Sequence, residues 1–321
     1  MSAAPAYDAG QASPVASVED ALRTVGATPG EVLEALGDYD GEAYLVGSLA
    51  AGFGDRRSDV DVHVVWDGES VETGPILAFT RGGACVDVRH VGRSGIERAL
   101  ASRHPGAVPV SSGRTPAWLL SRWLNAAPFD PAARPLLTER ERARARAVIV
   151  ESLLADLAAL AAFAALAERA GAARAWYLVR RAGVAAWELA ATLSGRDYLG
   201  ERWLPARSSH PAVAAVGAAA CSARRVGELS ALLARIGIDA EDLPRRVELR
   251  RHSEAEAWTL DGRPWLLVAS RWLVPGFEDG PPTVAAALEG DAASLLHGLS
   301  RGALAWSADV EGLRPRLEDA R

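Results

Sequence analysis

The segment Asp59–Val65 constrains the fold more than any other part of the chain. Polar and aliphatic residues alternate along it, and this period of two predicts a β-strand with two different faces. On such a strand, Asp59 and Asp61 project from the same side. Two carboxylates held side by side repel each other unless a cation neutralises them. Magnesium prefers one or two carboxylates together with substrate phosphates, so the segment indicates a metal site.

A second segment, just upstream, suits the binding of phosphate. The apolar run Glu42–Val46 is predicted to be a short strand that ends at Gly47 and Ser48. The following residues, Leu49–Phe53, could form a helical turn. Glycine lets the backbone approach a phosphate closely, and a serine hydroxyl and helix amides can donate hydrogen bonds to it.

A third carboxylate lies on a later predicted strand. Asp87 stands in the alternating run Cys85–Val91, and pairing with the first aspartate strand would complete a three-carboxylate site for two metal ions. Such a site suits phosphoryl transfer, in which positioning and charge neutralisation supply most of the catalysis.

These elements together resemble the polymerase-β-like nucleotidyltransferase superfamily, especially its minimal and antibiotic-modifying (aminoglycoside-type) branches. The resemblance rests on Gly-Ser, ten intervening residues, Asp-x-Asp and a later Asp. It implies that Gly47 and Ser48 contact the triphosphate of a nucleotide donor, with ATP expected. It also implies that Asp59 and Asp61 bind two Mg²⁺ ions, and that Asp87 binds the second ion and helps to deprotonate the acceptor.

The resemblance extends to a loop in the second half of the chain. The segment Tyr198–Leu204 is similar to a segment of the antibiotic-modifying relatives, in which an aromatic residue and a Lys-Trp pair approach the triphosphate. Arg202 stands at the lysine position here, in a chain that contains no lysine. Tyr198 and Arg202 are therefore candidates for binding the β- and γ-phosphates. A tryptophan-anchored loop that only packs is an equally good interpretation.

Several neighbouring residues have weaker signals. His63 shares the strand face of the aspartates and could contact substrate or transfer a proton, although a half-exposed structural residue is the favoured interpretation. Arg89 is a candidate for binding an acidic group or a phosphate, whereas Cys85 is interpreted as packing. Glu151 and Glu188, on predicted helices, are possible general bases, but no local motif selects either.

The expected fold class is α+β, with a nucleotidyltransferase mixed sheet, flanking helices, a helical bundle and a small C-terminal α+β unit. The predicted divisions are a disordered tail at 1–16, a catalytic domain at 17–130, a helical bundle at 131–238 and a small α+β domain at 239–321, for which a winged-helix-like fold is one option. Four tryptophans of the last region are predicted to build its core, with the lining of a peptide or acceptor groove as the alternative: Trp258, Trp265, Trp272 and Trp306.

Composition narrows the function. The net charge is −6, and the pI is near 5.6, which argues against a nucleic-acid partner. No apolar run of about 18 residues without charges was found, so no membrane span is expected. The N-terminus lacks a signal-peptide pattern, and the two cysteines, Cys85 and Cys221, have no metal or redox spacing. These features predict a cytoplasmic protein with free thiols.

The leading hypothesis is a nucleotidyltransferase that moves a nucleoside monophosphate, with AMP from ATP expected, onto a small-molecule acceptor. Antibiotic resistance or natural-product synthesis would fit the resemblance. Three alternatives remain: a protein-AMPylating or antitoxin-type enzyme, an RNA nucleotidyltransferase, and a binding module with an inactive site. The acidic charge disfavours RNA, and the presence of all three carboxylates disfavours an inactive site.

Overall fold

The computed structural model describes residues 17–69, 76–102, 115–261, 263–268, 272–277, 283–290, 292–301 and 303–317. The described residues form two compact units. Unit 1 contains those up to Ile149 together with Gly195–Ser209, and unit 2 contains Val150–Ser194 and those from His210 onward. The tail predicted at 1–16 lies outside the described residues. The fold class is α+β, as predicted.

Unit 1 is built on a five-stranded mixed sheet with the strand order β3-β4-β2-β1-β5. Strands β2 and β4 are parallel and lie side by side, whereas the other pairings of this sheet are antiparallel. The strands are β1 Glu42–Val46, β2 Val60–Trp66, β3 Ile76–Phe79, β4 Cys85–Gly92 and β5 Ala127–Pro128. The strands predicted over Glu42–Val46, Asp59–Val65 and Cys85–Val91 are confirmed to within one residue at each end, a difference typical of strand ends.

One face of this sheet is buried by aliphatic side chains and the first two helices. Val60, Val62 and Val64 of β2 have no exposed surface and belong to one core cluster with residues of α1 (Val18–Arg23) and α2 (Pro29–Leu36). Ser17 caps α1, and Thr28 begins α2 with a reciprocal capping box. The first helix has ended at Arg23 before this cap, and the capping box of Thr28 starts the second helix.

The described residues of unit 1 contain three further short α-helices. A single helical turn follows β1, and two longer helices lie between β4 and β5 in the sequence. They are α3 Gly47–Ala50, α4 Arg93–Ala101 and α5 Pro116–Trp123. Helix α6, Glu139–Arg169, begins in unit 1 and continues into unit 2.

Unit 2 contains the remaining helices and two small sheets. Helices α7 and α8 pack closely, because a Cβ on Gly183 would lie 3.2 Å from the backbone of Ala220. Strand β6 pairs antiparallel with β10, and β7-β8-β9 form a separate antiparallel sheet. The elements are α7 Ala175–Leu193, α8 Pro211–Ser222, α9 Val226–Ala234, β6 Val247–Arg251, β7 Ala255–Leu260, β8 Arg263–Val268, β9 Trp272–Pro275, α10 Val284–Glu289, α11 Ala292–Ser300 and β10 Leu304–Ala308.

Trp258 and Trp306 of the C-terminal region do not share one core. Trp306 packs edge-to-face against Phe163 of α6, with ring centroids 6.1 Å apart. Trp258 instead has 47% of its surface exposed, so the prediction of a core position was wrong for this residue. The physical reason is that β7 is exposed at every residue after Ala255 and leaves neither of its faces covered.

Helix α6 is long and apolar enough to cross a membrane by length and composition. Most of its apolar stretch is buried within the protein, as in the core helix of a soluble protein. The alanines and leucines that make the stretch apolar include Leu153, Leu157 and Leu166, all of which are buried. The apolar character of α6 therefore has a structural explanation in packing.

Candidate active site

The centre of the candidate site is the pairing of two aspartates. Asp61 of β2 and Asp87 of β4 are register partners on the two parallel strands, so their side chains lie next to each other on one face. Both are partly buried, with 24% and 20% of their side chains exposed. Oδ1 of Asp87 is buried and makes no hydrogen bond. Asp59 lies one residue before β2 and is exposed.

The valines between these aspartates explain why the carboxylates share this face. Val60 and Val62 flank Asp61, Val86 and Val88 flank Asp87, and all four are buried in the core on the opposite face. A shift of either strand by one residue would bury a carboxylate and expose two valines. The hydrophobic pattern thus fixes the register that brings the aspartates together.

Gly47 allows the backbone to lie directly against Asp61. Val46, the last residue of β1, is the register partner of Asp61, and Gly47 follows it with φ of +77°. A Cβ at this position would overlap the Asp61 carboxylate and lie 3.0 Å from Nη1 of Arg122. Glycine is therefore required here both by the left-handed backbone and by the absence of space.

Ser48 is buried directly behind this glycine. Its carbonyl oxygen accepts hydrogen bonds from the amides of Phe53, at 2.9 Å, and Gly54, at 3.0 Å. These bonds close the turn between α3 and the loop that leads to Asp59. Gly47 and Ser48 therefore lie at the carboxylate end of the sheet, as the sequence predicts.

Arg122 of α5 is the residue of this site that sequence reasoning missed. Its Nη1 donates a 3.0 Å hydrogen bond to Oδ2 of Asp61, and its guanidinium lies 3.9 Å from the ring centroid of Trp118. Its Nε is buried without a hydrogen-bond partner. The only sequence signal was the spacing of Trp118 and Arg122, four residues apart and so on one helix face. Nothing local indicated that this face covers the aspartates.

A second arginine faces the other aspartate. Nε of Arg89 lies 3.5 Å from Oδ1 of Asp87, and its guanidinium lies 5.8 Å from the Trp118 ring. Burial raises the pKa of the Asp61 carboxyl, the charge of Arg122 lowers it, and the nearby Asp87 and Asp59 raise it again. The site therefore holds two close carboxylates whose repulsion is offset by two guanidinium groups.

His63 lies on the same strand face but is buried under α5. Its side chain is 2% exposed, so the favoured interpretation as a half-exposed residue was wrong. The physical reason is Trp123, whose Nε1 donates a 2.8 Å hydrogen bond to Nδ1 of His63. Burial, together with the charges of Arg89 and Arg122, lowers the pKa of His63 to about 3. The imidazole is therefore neutral at physiological pH.

Cys85 begins β4 close to the carboxylates. Its pKa is raised by burial, then by the charge of Asp59 and a hydrogen bond to it, and by the charges of Asp87 and Asp61. The thiol is accordingly held in its protonated form. This arrangement agrees with the interpretation of Cys85 as a packing residue and gives no sign of a nucleophile.

The loop Gly195–Ser209 belongs to unit 1, although it follows α7 in the sequence. Tyr198 is buried against Phe53, with ring centroids 6.1 Å apart, and the Arg122 guanidinium lies 5.6 Å from its ring. Burial raises the pKa of Tyr198. Arg202 is largely exposed and donates a 2.8 Å hydrogen bond to Asp55. The structure thus brings Tyr198 to Arg122, and Arg202 to the loop before Asp59.

Two buried charges anchor this loop. Nε of Arg146 donates a 2.7 Å hydrogen bond to Oδ2 of Asp197, whose side chain is 6% exposed. Arg207 is fully buried and donates from Nη2 to the carbonyl oxygen of Arg196 at 2.6 Å. The residues on either side of Tyr198 are therefore held in place by charged groups.

The donor chemistry of the site suits magnesium. Carboxylate oxygens are the ligands that this ion prefers, and Asp87 supplies a buried oxygen without a hydrogen bond. Among the described residues, however, no group of three or more His, Cys, Asp or Glu side chains is already arranged as a metal site. Arg122 and Arg89 instead occupy the positions beside the carboxylates. The possible bases Glu151 and Glu188 lie in unit 2.

A cavity of ≈ 650 Å³ lies at the other end of β1 and β2. Its lining includes Glu42, Tyr44, Arg93, Arg134 and Glu141. The hydroxyl of Tyr44 contacts Glu42 and donates a 3.0 Å hydrogen bond to the carbonyl oxygen of Arg134. The lining includes none of Asp59, Asp61 and Asp87, so the cavity is separate from the carboxylates.

No protein-family model and no curated protein matches this chain.

Proposed function

We propose that this protein is a magnesium-dependent nucleotidyltransferase of the polymerase-β-like superfamily. It would transfer a nucleoside monophosphate, AMP from ATP, to a small-molecule acceptor in the cytoplasm and release pyrophosphate. The observation that carries the proposal is the register pairing of Asp61 with Asp87, against which Gly47 places bare backbone. A five-stranded mixed sheet in an α+β fold is consistent with it.

The nucleotide would lie with its triphosphate over Gly47 and Ser48. The space that a side chain would fill at Gly47 borders both Asp61 and Arg122, so a phosphate there would meet a metal-binding carboxylate on one side and a guanidinium on the other. Arginine binds phosphate oxygens through parallel charge-assisted hydrogen bonds. Tyr198 and Arg202 would contribute at the far end of the triphosphate, from the loop that unit 1 holds in place.

Asp59, Asp61 and Asp87 would hold the magnesium ions. When bound, magnesium would neutralise the charge that develops on the phosphate oxygens and orient the reacting groups. Asp59 is exposed at the edge of the site, where it can approach an incoming ion, whereas Asp61 and Asp87 are fixed by their strands. His63, neutral and bonded to Trp123, positions the strand and has no charge to contribute.

The reaction forms one phosphorus–oxygen bond and breaks another. The acceptor hydroxyl oxygen attacks the α-phosphorus of the nucleotide, in line with the bond to pyrophosphate, which breaks as pyrophosphate leaves with its electron pair. The hydroxyl proton passes to a carboxylate oxygen of Asp87 and from there to water. Asp87 suits this role because a carboxylate has two oxygens, so that one can bind a metal ion while the other accepts the proton.

Calorimetric titration with non-hydrolysable ATP, GTP, CTP and UTP analogues, with and without magnesium, tests the proposal. We expect one nucleotide to bind in a magnesium-dependent manner. Asp61→Ala should weaken that binding at least about tenfold, which corresponds to about 1.4 kcal/mol. Asp67→Ala is the matched control, since Asp67 is exposed at the opposite end of β2. Failure of every nucleotide to bind the wild-type protein would overturn the proposal.

A further inference from the structure

We infer that Arg122 occupies the place of a metal cation on Asp61, so that a metal ion must displace this guanidinium in order to bind. The inference concerns the regulation of the site described above and rests on the proposed function for the identity of the second ligand, a nucleotide. It assigns to Arg122 a role in coupling the two binding events.

Arg122 binds the oxygen of Asp61 that a metal ion would need. Arg122 donates to Oδ2 of Asp61, and this same oxygen faces the bare backbone of Gly47. A cation shared between Asp61 and a phosphate over Gly47 would bind to that oxygen. The guanidinium and the metal ion therefore compete for one ligand atom, and both cannot satisfy it at the short distance that magnesium requires.

The hydrogen-bonding capacity of the Arg122 guanidinium is only partly used. Nη1 of Arg122 donates a hydrogen bond to Asp61. Among the described residues, the buried Nε of Arg122 has no hydrogen-bond partner. A bidentate pair with the carboxylate would use two parallel hydrogen bonds. A buried donor without a partner costs free energy, so an arrangement in which Nε reaches a phosphate oxygen would be favoured once a triphosphate is present.

The guanidinium of Arg122 packs against two aromatic rings. The guanidinium lies 3.9 Å from the Trp118 ring centroid and 5.6 Å from that of Tyr198. Aromatic rings attract a guanidinium through its charge without fixing a direction for its hydrogen bonds. Nη1 of Arg122 lies 3.0 Å from the position that a Cβ on Gly47 would take. Arg122 can therefore turn from the Asp61 carboxylate towards Gly47 while its guanidinium remains over the Trp118 ring.

The consequence is thermodynamic coupling between metal and nucleotide. A metal ion alone must break the Arg122–Asp61 ion pair and leave the guanidinium without an anion. With a triphosphate present, the displaced guanidinium gains a new anionic partner, so each ligand should favour the other. Couplings between binding sites are typically 5- to 150-fold, that is roughly 1–3 kcal/mol, and are reciprocal.

The test is a manganese titration followed by the electron paramagnetic resonance signal of free Mn²⁺. We expect Arg122→Gln to bind Mn²⁺ alone about tenfold more tightly than the wild-type protein, because the competing charge is gone. Arg122→Lys should lie between the two, since lysine keeps the charge but cannot spread it over the Trp118 ring in the same way. Arg93→Gln is the control, since it removes an arginine paired with Glu141 in the separate cavity.

The second measurement repeats the titration with a saturating non-hydrolysable ATP analogue. The nucleotide should tighten Mn²⁺ binding about tenfold or more in the wild-type protein and much less in Arg122→Gln. Equal or weaker Mn²⁺ binding by Arg122→Gln, or no Mn²⁺ binding by any variant, would overturn the inference. Tighter Mn²⁺ binding by Arg122→Gln without any nucleotide binding would uphold the competition at Asp61 and defeat the proposed transferase instead.

Discussion

Trp123 donates a hydrogen bond from Nε1 to Nδ1 of His63 across 2.8 Å of the protein interior. This bond joins α5 to the strand that carries Asp61, one turn or less from Arg122 on the same helix. Because Nδ1 accepts, the imidazole carries its proton on Nε2. A neutral histidine thus ties the arginine-bearing helix to the carboxylate-bearing strand.

His63 should make the protein less stable in acid. The folded-state pKa is about 3, against an ordinary value of 6.5, so the unfolded chain binds a proton that the folded one does not between these values. Stability from this residue is full above about pH 6.5 and is lost as the pH falls, by about 1.4 kcal/mol per pH unit between about pH 6 and about pH 4. Denaturant titrations over this range measure it.

His63→Asn is the informative variant, because an amide oxygen can accept the bond from Trp123 without titrating. The variant should lose less stability in acid than the wild-type protein, by the amount attributed to His63. The remaining carboxylates titrate in both proteins and cancel in the comparison. Parallel pH profiles for the two proteins would show that His63 is not responsible.

Gly47→Ala should remove nucleotide binding and destabilise the fold. Gly26→Ala is a matched control, since Gly26 has φ of +71° and its added Cβ would meet nothing within 4 Å. Both variants bear the cost of a left-handed alanine, about 1 kcal/mol. Only Gly47→Ala also collides with Asp61, which should add roughly 1–3 kcal/mol. Thermal unfolding of both variants checks this, and equal losses would contradict it.

The Arg146–Asp197 pair should respond asymmetrically to substitution. Arg146→Ala leaves the 6% exposed Asp197 carboxylate without its partner, which should cost about 2 kcal/mol. Asp197→Asn removes the buried charge and should cost about 1 kcal/mol or less. Chemical denaturation compares the two. A larger loss in Asp197→Asn than in Arg146→Ala would show that the charge of Asp197 is not the main cost.

Tyr44→Phe tests the polar contacts at the cavity end of the sheet. The buried hydroxyl contacts Glu42 and the carbonyl oxygen of Arg134, so its removal should cost about 1–3 kcal/mol. Nucleotide binding should be unchanged, because the site lies at the other end of β1. Tyr177→Phe, at an exposed position, should change the unfolding free energy by no more than about 0.5 kcal/mol. Similar losses in both variants would refute the assignment.

The strands of unit 1 could be predicted because their pattern is local. Valines alternate with polar residues along β2 and β4, and burial of one face is enough to set both the strand limits and the side on which Asp61 and Asp87 lie. The N-cap of α1 is equally local, since Ser17 accepts a hydrogen bond from the amide of Asp20 only three residues later. The roles of Asp61 and Asp87 as metal ligands stay a prediction.

The covering of the site could not be predicted, because it depends on residues distant in the sequence. The strand period placed His63 on the correct face but carried no information about Trp123, sixty residues later. Arg122 had no motif of its own and gains its position only when α5 lies over the sheet. Trp258 shows the opposite error, because an apolar side chain was expected to be buried where its strand has both faces exposed.

The return of Gly195–Ser209 to unit 1 has a consequence for synthesis on the ribosome. The aromatic cluster of Phe53, Tyr198 and Trp203 joins residues separated by about half the chain, and the intervening Val150–Ser194 belongs to unit 2. The first unit therefore cannot be completed while its own early strands emerge. Phe53 lacks its partners Tyr198 and Trp203 until the chain has been translated beyond Ser209 and this segment has left the exit tunnel.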